Sequence, residues 1–370
     1  MDFRLTDEQR LIRESARALL QKDCAPAHVK EVERRAPHYD ESLWRRTGEL
    51  GWSELVAQPE SSLDAALLCE ELGRACAPLP LLSTALVARA LHRGGATQAR
   101  DRWLPPLLGA RAIGAVAVTE ASGRFDPDGI GARAQPQPGG WRLEGEKAFV
   151  ADGTIADLLL GAAHTGDADE DLGLALFAVD SAADGVARRP MDAGPGVPLA
   201  TVTLEGVALS DADVVAPPGR GAAALHDILV DAAVLGSAFA LGHAAAATDA
   251  SVAYAKSREQ FGVLIGTFQA VQHRLADMAT DVETLRALVY AASWKLARGE
   301  DDAELAASTA KAWGAEVLER VVSGAHQVHA GIGYTDEHDI QLHTRRAPWY
   351  AAMFGDGRFH YACAAQLLGL

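Results

Sequence analysis

The chain has 370 residues, of which 49% are apolar, and carries a net charge of -16 at neutral pH. That length exceeds a usual single domain, and the apolar share supplies a large core, so two or three packed units are expected. The acidic balance argues against nucleic acid or anionic lipid as a partner. No run approaches eighteen uninterrupted apolar residues, and Met1-Asp2-Phe3-Arg4 has no leader pattern, so a cytoplasmic protein without membrane association is expected.

From Thr6 to about Arg111 the pattern is helical. Thr6-Asp7-Glu8-Gln9 offers an N-cap and an acidic first turn before Leu11, Ile12, Ala16, Leu19 and Leu20. Leu67 to Arg74 continues the helical pattern, and Pro78 and Pro80 break it. From Ala112 to Pro218 the pattern changes to short strands: Ala115–Val118, Trp141–Leu143, Leu174–Val179 and Thr201–Leu204. Gln135-Pro136-Gln137-Pro138-Gly139-Gly140 reads as a turn, and Asp180 to Gly185 and Gly194 to Val197 as loops. A small β-barrel or sandwich is expected there. Beyond Pro217-Pro218-Gly219 the chain is helical again. Val271, Leu275, Met278, Val282, Leu285 and Leu288 mark one amphipathic stripe, and the alanine-rich run from Ala238 to Ala250 suits close helix packing.

Cys24, Cys69, Cys76 and Cys363 show neither disulfide nor zinc spacing, and Cys69 and Cys76 read as buried thiols on one apolar helix. His326, His329, His338 and His343 crowd one region. Only His326 and His329 have ligand spacing, and no cysteine or carboxylate cluster completes a set, so no metal is expected.

Three segments of the helical carboxy-terminal part carry ligand chemistry. Arg258 offers a planar fork of donors suited to pyrophosphate. Phe261 can cover a ring or a ribose, and Gln269 and Gln327 can donate to phosphate and accept from sugar hydroxyls. Gly331 and Gly333 allow close backbone approach. Taken alone, Arg258-x-x-Phe261-Gly262 is a weak signal and reads first as a solvated helix end followed by a turn.

In order and spacing, Arg258–Gly262, Phe268–Gln272 and Gln327–Thr335 resemble the carboxy-terminal half of the acyl-CoA dehydrogenase flavoproteins. Ala117-Val118-Thr119-Glu120, Leu143-Glu144-Gly145-Glu146-Lys147, Asp157, Asp7-Glu8-Gln9 and Glu70-Glu71-Leu72-Gly73-Arg74 are similar to further family features, so the resemblance covers essentially the whole chain. It implies an α+β, mainly α fold: an N-terminal helical domain over residues 1–111, a middle β-domain over 112–218, and a C-terminal four-helix bundle over 219–370. It implies FAD as cofactor and an acyl-CoA thioester as substrate. Arg258, Phe261, Gln269, Gln327 and Gly331 would then meet the ADP half of FAD, and Thr119 its ring.

The departures from the family pattern concern catalysis. Family members remove the α-proton with a carboxylate while the flavin takes hydride from the β-carbon. Counted from Arg345-Arg346-Ala347, the usual glutamate position is Phe354, in Phe354-Gly355-Asp356, and the alternative position, on the helix ahead of Arg258, is Ala232. Asp231 is one residue off, a rotation of about 100° around a helix. Asp356 suits the N-cap of the last helix. No residue of this chain is therefore assigned as the catalytic base. Thr119-Glu120-Ala121-Ser122-Gly123-Arg124-Phe125-Asp126 loses or displaces the phosphate-facing serine of the family's Thr-Glu-Pro-x-x-Gly-Ser-Asp. Phe149-Val150-Ala151 lacks the hydroxyl that contacts the flavin ring, Pro59-Glu60-Ser61-Ser62 is a shortened loop, and Ala330 replaces one glycine.

This pattern resembles the non-catalytic chain of α2β2 dehydrogenases of the steroid side-chain type. The leading expectation is a subunit that offers ADP-side contacts to a second dehydrogenase subunit. The alternatives are a self-sufficient homo-oligomeric dehydrogenase with an unlocated base, and a flavin-free scaffold.

Overall fold

The computed structural model describes residues 4–94, 97–167, 170–194, 196 and 198–370. Met1 to Phe3, and Pro195 and Val197 of the expected Gly194–Val197 loop, lie outside the described residues. Helices come first: α1 (Asp7–Asp23), α2 (Pro26–Arg34), α3 (Glu41–Glu49), α4 (Trp52–Ala57), α5 (Ser62–Arg74), α6 (Leu81–Arg93) and α7 (Thr97–Leu108). Strands follow: β1 (Gly114–Ala117), β2 (Arg133–Gln137), β3 (Gly140–Ala151), β4 (Leu158–Asp167), β5 (Glu170–Asp180), β6 (Val186–Met191), β7 (Leu199–Ser210) and β8 (Val214–Ala216). The chain then returns to helix in α8 (Gly221–Ser257). The two-residue strands β9 (Glu259–Gln260) and β10 (Val263–Leu264) precede α9 (Gln269–Arg298), α10 (Ala303–His329), α11 (Ile340–Ala352) and α12 (Gly357–Leu367). The helical, β, helical order expected from the sequence is the order observed.

By contacts, the chain groups into two compact units: residues 1–35, 60–78 and 232–370, and residues 36–59 and 79–231. The second unit holds the sheet with α3, α4, α6, α7 and the start of α8. Its strands run in the order β6-β7-β3-β2-β4-β5-β8, with β1 also on β4. Pairing is antiparallel except for β1 and β2 on β4. The proline-rich stretch read as a turn is in part strand: Pro136 sits in β2 opposite Trp141, and only Pro138 and Gly139 lie between the strands. Proline is tolerated because β2 meets β4 only at Arg133 and Ala134, leaving Pro136 without a neighbour on that side to receive an N–H. The Asp157 carboxylate accepts from the Ile113 N–H at 2.8 Å, which fixes where β1 enters beside β4.

In the first unit, Thr6 caps α1 as expected. Its side chain accepts from the Gln9 N–H at 3.2 Å, and the Gln9 side chain accepts from the Thr6 N–H at 3.1 Å. Helices α5 and α8 approach at two glycines. A Cβ on Gly73 would lie 2.2 Å from the Phe239 carbonyl oxygen, and one on Gly242 2.0 Å from that of Glu70, so both must be glycine. Glu70 accepts from the Tyr290 hydroxyl at 2.7 Å and from Arg286, while Glu71 accepts two bonds from Arg17 at 2.6 and 2.8 Å. Buried carboxylates are tolerable only when paired in this way. Helix α8 is long and apolar enough to cross a bilayer by length and composition, yet 94% of its most apolar window is buried within the protein.

Helix α5 ends at Arg74, so Cys76 does not share one apolar helix with Cys69, contrary to what its spacing suggests. Its φ is 49°, the Cys76 N–H donates to the Gly73 carbonyl at 3.1 Å, and the Ala77 N–H donates to that of Leu72 at 3.0 Å. This is a Schellman end with cysteine at the position that favours glycine.

Candidate flavin-binding surfaces

The three carboxy-terminal segments meet at one small core. Ala255 of α8, Ile265 and Val328 of α10 are buried together, with Tyr254, Val271 and Leu275 packed against them. Each carries a candidate residue to the surface beside it: Arg258 just after α8, Gln269 at the start of α9, and Gln327 next to Val328. All three are exposed, as are Phe261 and Gly331. Among the described residues the Arg258 guanidinium has no ion-pair partner.

Between β9 and β10, Phe261 (φ 58°) and Gly262 (φ 79°) form a turn with both central residues left-handed. The Phe261 ring is 91% exposed, and its only ring contact among the described residues is edge-on to Phe268 at 6.1 Å. A bulky residue costs about 1–2 kcal/mol in that backbone region, and full exposure of the ring adds nothing in return. Such a residue suits a surface that is covered by something else. At Gly331 an added Cβ would meet nothing within 4 Å, so the backbone there faces open space. A free guanidinium, an uncovered ring, two exposed amides and an open glycine make a donor set that fits a dinucleotide's pyrophosphate and ribose.

Ala330, standing where the family has glycine, adopts φ 53°, ψ -140° as the cap of α10. Gly333 is closely packed: an added Cβ would lie 3.0 Å from His329 Cβ and 3.2 Å from His326 Nδ1, so a side chain there would need the histidines to shift. The neighbouring histidines are stacking partners: His329 on Tyr254 at 4.7 Å, His326 on Tyr334 at 4.6 Å. Burial holds His326, His329 and His338 below the usual imidazole range.

The second unit carries Thr119. It follows β1, is 8% exposed, and its carbonyl accepts from the Ala148 N–H at 2.9 Å, which sets it beside the end of β3. There β3 is irregular between Lys147 and Val150. Phe149 takes φ 57° and is 44% exposed, with its N–H directed to Met191 Sδ at 3.4 Å. Ala151 ends the strand and brings no hydroxyl to this surface. Glu120 and Lys147 pair at 2.6 Å, and Glu120 also accepts from the N–H groups of Gly131 and Ala132 at 2.8 and 2.9 Å. Burial alone would raise the Glu120 pKa, but Lys147 and the two N–H groups hold it below the carboxylate range. Burial also lowers that of Lys147.

The acids nearest the two counted base positions are engaged elsewhere. Asp356 is the N-cap of α12, accepting from the Phe359 N–H at 2.8 Å. Asp231 is fully buried and accepts from Arg89 at 2.6 Å and from Arg93. Ala232 is buried beside it in sequence. Phe354 is buried with φ 53°, and its carbonyl lies 3.0 Å from His360 Nε2. The following turn is held by Lys311, whose Nζ donates to the carbonyls of Tyr350, Ala351 and Gly355 at 2.9–3.0 Å.

One cluster had no signal in sequence spacing. Cys76, His243 and His343 come together from positions up to 267 residues apart. Burial pushes the Cys76 thiol up to about 12 and the His343 imidazole down to about 3, and holds His243 well below its usual value.

Models of the acyl-CoA dehydrogenase N-terminal, middle and C-terminal domains match residues 6–111, 115–207 and 219–366. The chain is 31% identical over 362 residues to acyl-CoA dehydrogenase IpdE2 of Mycolicibacterium smegmatis, covering 96% of each. It is 30% identical to a probable acyl-CoA dehydrogenase, YngJ, of Bacillus subtilis, covering 94% of each. Among solved structures it resembles a glutaryl-coenzyme A dehydrogenase complex (TM-score 0.92, 26% identity, 100% and 97% of the two chains). It also resembles the ChsE4-ChsE5 complex of Mycobacterium tuberculosis (0.89, 27%, 100% and 99%) and a Tcur3481-Tcur3483 steroid dehydrogenase variant (0.86, 30%, 98% of each). With three domain models in order and full-length relatives of this kind, the chain belongs to the acyl-CoA dehydrogenase family, whose cofactor is FAD.

Proposed function

We propose that this chain is the non-catalytic subunit of a heteromeric FAD-dependent acyl-CoA dehydrogenase acting on a steroid or other bulky acyl-CoA thioester. When bound, FAD supplies the acceptor for hydride from the substrate β-carbon. In this reading Arg258 donates to the pyrophosphate, Phe261 covers the adenosine side, Gln269 and Gln327 bond phosphate and ribose oxygens, and Gly331 lets the backbone come close. The ring rests on a partner chain, which also holds the base. The division into residues 1–111, 112–218 and 219–370 is part of the same proposal.

The observation that carries it is the absence of a usable carboxylate at either base position. Phe354 and Ala232 cannot take a proton, Asp356 caps α12, and Asp231 is locked between Arg89 and Arg93. Support comes from two of the similar structures, the ChsE4-ChsE5 complex and the Tcur3481-Tcur3483 steroid acyl-CoA dehydrogenase, each of which pairs two named proteins. Retention of Thr119 favours a second reading, a self-sufficient homo-oligomer that seats its own flavin ring.

Co-expression with the product of a neighbouring dehydrogenase gene separates these readings. The proposal expects the two chains to co-purify with FAD, and this chain alone to come out colourless. A yellow, homo-oligomeric chain on its own would overturn it in favour of the second reading.

A further inference from the structure

Cys76, His243 and His343 reach one point from the turn after α5, the middle of α8 and the first part of α11. Cys76 and His243 are buried and His343 is half-buried. Cys76 Sγ lies 3.7 Å from Nδ1 of His243 and 3.4 Å from Nδ1 of His343, and the two Nδ1 atoms are 3.0 Å apart. A tetrahedral ion held at metal–nitrogen distances of about 2.0–2.1 Å and a metal–sulfur distance of about 2.3 Å sets its donors roughly 3.3 Å (N to N) and roughly 3.6 Å (N to S) apart. The triangle here agrees with those edges to a few tenths of an ångström, before any ion has drawn the ligands in.

The donor set is selective. One thiolate with two imidazoles suits a soft or borderline transition metal and does not suit magnesium or calcium. A cavity of about 250 Å³, lined by Cys24, Arg74, Cys76, Asp339, Leu342 and His343, touches two of the three ligands. It provides an entry path and room for a water as fourth ligand. Burial disfavours the Cys76 thiolate, and Arg346, which donates to the Cys76 carbonyl at 3.4 Å and pairs with Glu33, offsets only part of that, so a bound cation must supply the rest of the stabilisation. Cys76 is held in this position by its left-handed backbone, at a place in the helix end where glycine is the ordinary residue.

We propose that Cys76, His243 and His343 bind one thiophilic transition-metal ion of the Zn(II) or Cu(I) type, a structural clamp joining α5, α8 and α11. On binding, the Cys76 thiol gives up its proton to solvent and the imidazoles ligate as neutral bases. The site is independent of the flavin surfaces and of the proposed subunit role.

Elemental analysis of the full chain, purified without chelators, tests this. Near-stoichiometric zinc or copper is expected in the wild type and in Cys69→Ser, with loss from Cys76→Ser and His343→Ala. Because a variant can lose metal by misfolding, the chelator-treated wild type is also titrated with Co(II), with folding followed by circular dichroism. A thiolate-to-cobalt charge-transfer band that is absent from folded Cys76→Ser, and a rise in Tm on adding Zn(II) or Cu(I), support the site. A folded wild-type chain that carries no metal and gives no cobalt band overturns it. The three groups are then a hydrogen-bonded cluster only.

Discussion

Arg89 donates from Nη1 to Oδ1 of Asp231 at 2.6 Å, with both side chains withdrawn from solvent. Arg89 also donates to the carbonyls of Val56 at 2.8 Å and Gln58 at 3.3 Å, and Arg93 binds the same carboxylate. The acid next to the alternative base position is thus a structural anion. Asp231→Asn leaves two guanidinium groups short of a counter-charge and should cost roughly 3–5 kcal/mol of stability, read as a fall in Tm. Turnover of the reconstituted complex, per folded FAD-loaded unit, should stay within a few-fold of wild type.

Arg258→Ala removes a charge-assisted donor from an exposed surface and should leave the fold intact. FAD retention by the assembled complex should weaken by roughly 1.5–3 kcal/mol, measured by flavin content at limiting FAD. Unchanged retention would mean that this surface does not meet the cofactor.

Ala330 holds φ 53°, ψ -140°, a region that glycine occupies freely. Ala330→Gly relieves that strain, partly offset by the greater freedom of the unfolded chain. A net gain of about 1 kcal/mol is expected, measured by chemical denaturation. A loss would show that packing around the methyl group outweighs the backbone strain.

Asp152 carries a pH signature. Burial pushes its carboxyl up to about 6, against the hydrogen bond it accepts from Ser83. In the unfolded chain it titrates near 3.9, so between those values the folded state binds more protons and stability falls as pH rises. Asp152→Asn should therefore remove a loss of stability that wild type shows across pH 4 to 6. The variant should be the more stable form at pH 8, with the difference shrinking in acid. Parallel denaturation curves at both pH values would contradict this.

Much of the fold was legible because it rests on local rules. Thr6 capped as its sequence indicated, the stripe from Val271 through Leu285 faced inward or partly inward, and the helix-to-strand changeover fell between Leu108 and Gly114. Strands β4 and β6 were not read, since β4 continues from Leu158-Leu159-Leu160 into glycine and alanine, and β6 is mostly exposed, with Arg188, Arg189 and Pro190 in place of an apolar alternation. Their strand character comes from their neighbours in the sheet, which no local window contains. The candidate flavin residues were picked out by their order and spacing, and the structure places Arg258, Phe261, Gln269, Gln327 and Gly331 at the surface. Cys76 was not, because leaving the helix turned it towards His243 and His343, and that proximity is tertiary.

In the proposed function this chain supplies no catalytic base. The direct measurement is anaerobic mixing of the chain, purified alone and supplied with excess FAD, with a panel of straight-chain and steroid acyl-CoA thioesters, following flavin bleaching. The same mixing is run on the co-expressed complex, with and without Asp356→Asn in this chain. The expected result is no bleaching by the chain alone, rapid bleaching by the complex, and a rate within a few-fold of wild type for the Asp356→Asn complex. Bleaching by the isolated chain would contradict it. So would a fall of a hundredfold or more on Asp356→Asn (about 3 kcal/mol in the barrier) with folding and FAD content intact.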